Sequence, residues 1–354
     1  MSTLFSPLQL RSLSLKNRIF LSPMQQYSAL DGIPGKWHLV HLGSRAVGGA
    51  ALILTECTAI SPEAMCTPND VGIWTEDQIN AWKNITNFVH EQNAKIGVQL
   101  WHAGGKASTT HPNDGFTPLS IENGGWIPKS SSATPINYHQ PKAMTLEDIK
   151  KVIEDFAQSA KNAVEAGFDT IELHAAHGYL LHQFYSALIN KRTDEYGGSF
   201  ENRIRLLIEV VDAIRTVIPS EMPLLLRLSA IDYSNSPDAW LLEDSIRLAP
   251  ILKAHGVDFV TASGGGFVHV NPNIVKPSYQ LPLATAIKET IEIPVGAVGM
   301  IIDAKQANEI IENGQADAVV IAREYLRNPY FALHAALELE ENPNIPWQYK
   351  RGFN

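Results

Sequence analysis

Short aliphatic runs alternate with longer stretches in which apolar residues recur every three or four positions, almost to the C-terminus. The runs predict strands at 18–22, 51–56, 95–100, 170–174, 224–229, 258–261, 294–298 and 317–321. Several are nearly continuous apolar segments, such as 51–54 and 318–321, the pattern of parallel strands buried on both faces. The longer stretches predict helices over 77–92, 146–166, 202–218, 242–255 and 303–313. Thr145, with Asp148 three residues on, reads as a box-like N-cap, and Gly167, Gly256 and Gly314 stand where helices stop. Eight βα units with no central break predict an α/β fold, a single closed (β/α)8 TIM barrel over 1–354. An open doubly wound sheet would carry a glycine-rich turn after its first strand. Here that turn is Ser22-Pro23-Met24-Gln25, without glycine.

One connection breaks the rhythm. Residues 101–143, after the third strand, carry Gly104-Gly105, Gly124-Gly125, five prolines and three consecutive serines from Ser130. Long connections in compact domains tend to be lids or small excursions, so this one is expected to cap the top of the barrel.

Composition narrows the class. Hydrophobic residues make up 45% and charged residues 18% of 354, which excludes a disordered chain. Lys and Arg number 28 against 37 Asp and Glu, a formal charge of −9, which argues against a nucleic-acid partner. The two cysteines, Cys57 and Cys66, cannot form a disulfide framework or a cysteine-built metal cluster, and fit a reducing cytoplasm. No segment reaches the roughly 18 apolar residues of a membrane span, and no apolar core of a signal peptide follows the first residues. A soluble cytoplasmic enzyme is expected.

Barrel chemistry sits at the C-terminal ends of the strands. That rule selects Gln25 and Tyr27 after strand one, Glu56 and Cys57 after two, and Gln99 and His102 at three. It adds His174, His177 and Tyr179 after four, Arg227 at five, Ser263 with 264–266 after six, Gly299 after seven and Arg323 at eight. Two imidazoles and a phenol leaving one strand end can bind a carbonyl oxygen and deliver a proton. A metal site would need a third ligand and an open position, and a purely structural role stands beside both. Arg227 ends an apolar strand, where a charge needs an anionic partner. A neighbouring carboxylate is the bland partner. Gly299 and Arg323 follow strands seven and eight, where barrels commonly bind phosphate.

At this point the residues match a family. The chain resembles the Old Yellow Enzyme family of FMN-dependent ene-reductases, in its bacterial thermophilic-like, xenobiotic-reductase-like branch. The resemblance rests on Leu15-Lys16-Asn17-Arg18 with Ser22-Pro23-Met24, on Gln99 with His102-Ala103-Gly104, and on the segment from Glu172 through His174 and His177 to Leu180. It also rests on Arg192-Thr193-Asp194-Glu195-Tyr196-Gly197-Gly198-Ser199, Gly296 to Gly299, Ala322-Arg323-Glu324 and the C-terminal Gln348 to Gly352. These run in order along essentially the whole chain.

The resemblance implies noncovalent FMN, with NADPH or NADH as reductant. Ser22, Pro23, Met24, Gln25, Cys57, Gln99 and Arg227 fall where the family contacts the isoalloxazine, and Gly299, Ala322 and Arg323 fall at its phosphate. His174 and His177 match the pair that binds the substrate carbonyl, Tyr179 the proton donor, and Tyr27 a substrate-contacting phenol. The implied reaction is NAD(P)H-driven reduction of the activated C=C bond of an α,β-unsaturated carbonyl compound, with hydride from flavin N5 and a proton from Tyr179. Arg351 matches an arginine that reaches a neighbouring subunit's pocket, so 340–354 is expected to serve a homodimer or homotetramer.

Two positions depart from the branch. Gln25 stands where a cysteine is usual, and its longer amide cannot ionise. Trp101 stands where a small residue is common, two residues past Gln99 and on its face if the strand continues. It is read as a substrate-contacting residue that narrows the pocket, against plain packing under the cap. Cys66 reads as a buried inert thiol, and the roles of His102 and Lys106 stay open. Three other classes fit the residues less well. A dienoyl-CoA-reductase-type relative would need cysteines for an iron–sulfur cluster, a flavin-storage protein would not need Tyr179 with both histidines, and a metal-dependent hydrolase would need further ligands.

Overall fold

The computed structural model describes residues 2–136 and 139–353. The 101–143 and 340–354 segments are therefore described apart from 137–138 and 354. Eight parallel strands close into a barrel in chain order. They are β1 (Ile19–Leu21), β2 (Leu52–Ala59), β3 (Lys95–Trp101), β4 (Thr170–Ala175), β5 (Leu224–Ser229), β6 (Phe259–Ser263), β7 (Val295–Ala297) and β8 (Ala318–Ile321). All eight fall on the predicted runs. Eight helices ring the barrel: α1 (Lys36–Val47), α2 (Glu76–Glu91), α3 (Leu146–Glu165), α4 (Phe200–Val217), α5 (Leu242–Ala254), α6 (Leu281–Lys288), α7 (Ala304–Glu312) and α8 (Phe331–Glu338).

Four of these helices, α2, α3, α4 and α7, start at a side-chain cap: Thr75, Thr145, Ser199 and Asp303. Thr145 accepts from the Asp148 amide (3.1 Å) while Asp148 accepts from the Thr145 amide (3.0 Å), a reciprocal box that satisfies two otherwise orphaned donors. Thr75 with Gln78 does the same for α2. Two short helices, Leu180–Tyr185 and Arg323–Arg327, follow β4 and β8 directly.

Alternation along the strands sorts the side chains. Leu173, Leu226, Val260 and Val319 face the helices and join the larger core. Phe20, Leu52, Leu54, Leu225, Phe259 and Val320 face inward and fill the lower barrel. An antiparallel hairpin, Leu8–Leu10 with Leu13–Leu15, closes the bottom by adding its four leucines to that inner cluster. One end of the barrel is thus sealed with hydrocarbon, and polar inward residues appear only toward the other. Among the described residues no helix is long and apolar enough to cross a membrane.

After β3 the chain runs outward through three 3-10 turns and returns through a short parallel pair, Lys129–Ser130 with Lys142–Ala143.

Candidate active site

Above the apolar floor the inward positions turn polar. Gln99, Glu172 and Arg227 lie on β3, β4 and β5, and Thr261 on β6. Glu172 is fully buried and accepts from Gln99 Nε2 (2.6 Å) and Thr261 Oγ1 (3.2 Å). Arg227 is 9% exposed, donates from Nη1 to Ser22 Oγ (2.8 Å), and its buried Nε has no partner. Burial lowers the Arg227 pKa, offset by the Glu172 charge. Burial raises that of Glu172, offset by Arg227. The two charges support each other at a distance without forming an ion pair, so a neighbouring carboxylate does not saturate the guanidinium.

A bulge sets which residues of β2 face inward. The β2–β3 register passes from Leu54↔Gly97 to Cys57↔Gln99 with one extra residue on β2. The phase flips, as bulges beside active sites commonly make it do. Cys57 therefore meets Gln99, its thiol donating to Oε1 (3.1 Å). Glu56 is turned away instead, accepting from the Gln26 amide (2.8 Å) and lying 3.2 Å from His38 Nε2. Beyond β1, the Gln25 amide is buried and neither of its polar atoms makes a full hydrogen bond. It lies beside Asp70, a buried carboxylate that accepts from the Cys66 and Thr67 amides (2.7 and 2.9 Å). Burial pushes the Asp70 pKa up to about 6 despite those bonds and the nearby Gln25 amide.

The end of β4 brings His174, His177 and Tyr179 together. His174 Nδ1 accepts from the Ala176 amide (3.1 Å), so its proton sits on Nε2. That nitrogen donates to His177 Nδ1 (3.3 Å), which leaves His177 Nε2 to donate to Ser263 Oγ (2.7 Å). Burial, and then the Arg227 charge, hold both imidazoles well below their ordinary pKa. They are neutral donors. Burial likewise raises the Tyr179 pKa well above its ordinary value, so the phenol keeps its proton. Its ring meets His174 edge-on (centroids 5.1 Å) and Trp101 at 4.4 Å. Trp101 is 1% exposed with an unpartnered indole N–H, and so lies behind Tyr179. No third metal-ligating side chain joins the two histidines among the described residues.

From this cluster a cavity of about 300 Å³ runs to the ends of β6, β7 and β8. Ser22, His177, Arg227, Gly299, Ala322 and Arg323 line it. Gly299 has φ +110°, a backbone that favours glycine. Arg323 is exposed and forms no ion pair with a described residue. Tyr279, Gln280, Met300 and Arg327 also line this cavity, and the sequence reading did not single them out. Pro23, Met24, Gln25, Tyr27, Cys57 and Gln99, which lie on β2, on β3 and in the segment after β1, are not in the lining of this cavity. Tyr27 meets His111 edge-on at 5.9 Å. Arg351 lies in the exposed turn Trp347–Gly352, outside the cavity lining. Cys66 is buried, its thiol donating to the Lys106 carbonyl (3.2 Å). His102 is buried too, its Nδ1 accepting from the Gly104 amide (2.9 Å).

Comparison with known proteins agrees with this architecture. Residues 3–342 match the model of the NADH:flavin oxidoreductase / NADH oxidase family. The NADPH dehydrogenase of Bacillus subtilis is 43% identical over 352 residues, covering 99% of both chains. That of Geobacillus thermodenitrificans is 43% identical over 354 residues, again covering 99% of each. An NADH:flavin oxidoreductase of Gibberella zeae is 42% identical, covering 99% of this chain and 90% of its own. Among solved structures, morphinone reductase in complex with tetrahydroNAD superposes with TM-score 0.80 at 29% identity, covering 98% of this chain and 93% of its own. The residues present fit FMN: an unsaturated buried guanidinium, an orphaned Gln25 amide and a cavity ending at an unpaired arginine. With its sealed floor, polar mouth and family match over residues 3–342, the chain belongs to the NADH:flavin oxidoreductase / NADH oxidase family, the FMN-dependent, NAD(P)H-oxidising Old Yellow Enzymes.

Proposed function

We propose that this chain reduces the activated C=C bond of α,β-unsaturated carbonyl compounds at the expense of NADPH or NADH. When bound, FMN supplies the hydride chemistry that links the nicotinamide to the alkene. Ser22, Pro23, Met24, Gln25, Cys57, Gln99 and Arg227 hold its ring, and Gly299, Ala322 and Arg323 its phosphate. The Arg227 guanidinium, buried with a free N–H, favours negative charge on the ring.

His174 and His177 hold the substrate carbonyl oxygen through N–H donors, which exchange for it the partners described above, His177 Nδ1 and Ser263 Oγ. Because both imidazoles are neutral, they stabilise the developing enolate by hydrogen bonding and do not themselves surrender a proton to it. Tyr179, the protonated acid beside them, delivers the proton to the α-carbon. Tyr27 and Trp101 shape the space around the substrate, and residues 101–143 cap it. Arg351, which nothing draws into its own chain's cavity, completes the pocket of a neighbouring copy in a homodimer or homotetramer.

The observation that carries the reading is the set of two neutral donors and one protonated phenol on a single strand end. Tyr179→Phe tests it. Loss of a general acid slows proton transfer by about 10²–10⁴-fold, so stopped flow should show slow reoxidation by cyclohexenone with flavin reduction by NADPH retained. Reoxidation at the parent rate would remove Tyr179 from this role.

A further inference from the structure

The turn that carries these groups is strained. His177 has φ +55° and Gly178 φ +75°, and the Tyr179 amide donates to the Ala176 carbonyl (3.1 Å). Two successive left-handed residues closed by that bond make a type I′-like turn. A side chain larger than hydrogen is costly at the first of them and impossible at the second. A Cβ on Gly178 would lie 2.4 Å from the Gly266 carbonyl oxygen. Such a backbone persists only where its surroundings over-determine it.

Here the surroundings are four side chains. The His177 amide donates to Ser229 Oγ (2.9 Å), and Lys106 Nζ donates to the His177 carbonyl (2.8 Å). The Gly178 amide donates to His182 Nδ1 (2.9 Å), and Gln183 Nε2 donates to the Gly178 carbonyl (2.8 Å). Every backbone polar group of the two left-handed residues is thus held by a side chain.

One of the four is itself held. His182 Nε2 lies 2.7 Å from Asp232 Oδ1, and both residues are fully buried. Asp232 Oδ2 accepts from Ser186 Oγ and the Trp240 amide, each at 2.7 Å. Burial raises the Asp232 pKa, but these bonds prevail and keep it below its ordinary value. Burial lowers that of His182, against the pull of Asp232. The carboxylate is ionised and the imidazole neutral. Asp232 can only accept, so it takes the proton-bearing Nε2 and leaves Nδ1 bare for the Gly178 amide.

We propose that His182 and Asp232 are positioning residues: the carboxylate fixes the His182 tautomer, and the ring thereby holds the turn that aims His177 and Tyr179. The inference rests on the roles proposed above for those two residues. An isosteric Asp232→Asn discriminates sharply. Its oxygen must keep the Ser186 and Trp240 donors, so its amide N–H would face His182. The ring would then carry its proton on Nδ1, against the Gly178 N–H, and the turn would be displaced.

Displacement of a reacting group by about an ångström costs up to roughly 10²-fold. Asp232→Asn and His182→Leu should therefore slow reoxidation by cyclohexenone by about 10- to 100-fold while leaving flavin reduction by NADPH unchanged. His182→Gln, whose oxygen can accept from Gly178 and whose N–H₂ can donate to Asp232, should restore most of the rate. In the wild-type holoenzyme, ¹⁵N NMR of His182 should show a bare Nδ1 and a protonated Nε2, a readout independent of whether any variant folds. A protonated Nδ1, a wild-type reoxidation rate in Asp232→Asn, or a His182→Gln variant as slow as His182→Leu would each overturn the proposal. If Tyr179→Phe is slow but Asp232→Asn is not, the positioning role fails alone. If Tyr179→Phe is fast, the assignment of Tyr179 fails.

Discussion

Replacing Arg227 by Met separates what this cation does for the fold from what it does for the cofactor. In the barrel, Arg227 and Glu172 are buried on neighbouring strands, and Glu172 has no other counter-charge among its hydrogen-bond partners, Gln99 and Thr261. Two unit charges that do not touch attract by about 2–4 kcal/mol at an effective dielectric near 20. Removing the cation strands a buried carboxylate, so Arg227→Met should destabilise the flavin-free protein by roughly that amount. Adding Glu172→Gln removes the stranded charge while the amide still binds Gln99 and Thr261. The double variant should recover most of the loss, because the two positions are coupled. Urea denaturation of stripped protein measures this without the linkage that bound FMN adds. The cofactor effect should not recover. With about 30 mV equal to 1.4 kcal/mol for a two-electron couple, the FMN midpoint potential should fall by on the order of 50 mV in both variants. A double variant as unstable as the single one, or a potential that returns with Glu172→Gln, would refute the reasoning.

Three further outcomes follow from the same geometry. The folded Asp70 pKa, about 6, lies above its unfolded value, so its contribution is full below about pH 4 and lost as pH rises through 6. Relative to Asp70→Asn, wild-type stability should decline by about 3 kcal/mol over that window, and parallel denaturation curves from pH 4 to 7 would count against it. Trp101→Ala should loosen the packing behind Tyr179 and raise the rate for β-substituted cyclohexenones relative to cyclohexenone; an unchanged ratio would leave Trp101 a packing residue. Truncation after residue 346, which removes Trp347 (77% exposed) and Arg351, should weaken substrate affinity without lowering flavin reduction; unchanged affinity would show that Arg351 serves no shared pocket.

The barrel strands were legible because both faces of each are buried, which leaves nearly unbroken apolar runs. Elements without such a signature were not. The hairpin Leu8–Leu10 with Leu13–Leu15 offers only three residues per strand. Helices α6 and α8 are apolar on most sides, so they show little 3.6-residue contrast. The bulge in β2 has no local sequence signal, which is why the strand-end rule selects both Glu56 and Cys57, and the resemblance alone favours Cys57, the residue that the register turns inward. At the site, His174, His177 and Tyr179 were readable because they crowd one strand end. Their supports were not, since Lys106 follows β3, His182 and Gln183 lie in the short helix after β4, and Ser229 ends β5, and they converge only in the fold. Tyr279 and Gln280 reach the cavity from a loop with no distinguishing motif.

The most direct test uses the purified protein and its visible spectrum. It should be yellow or reconstitute with FMN, bleach under NADPH without oxygen, and regain its colour on adding cyclohexenone. A protein that binds FMN and bleaches but is not reoxidised by any α,β-unsaturated carbonyl compound would contradict the proposed reaction while leaving the family intact.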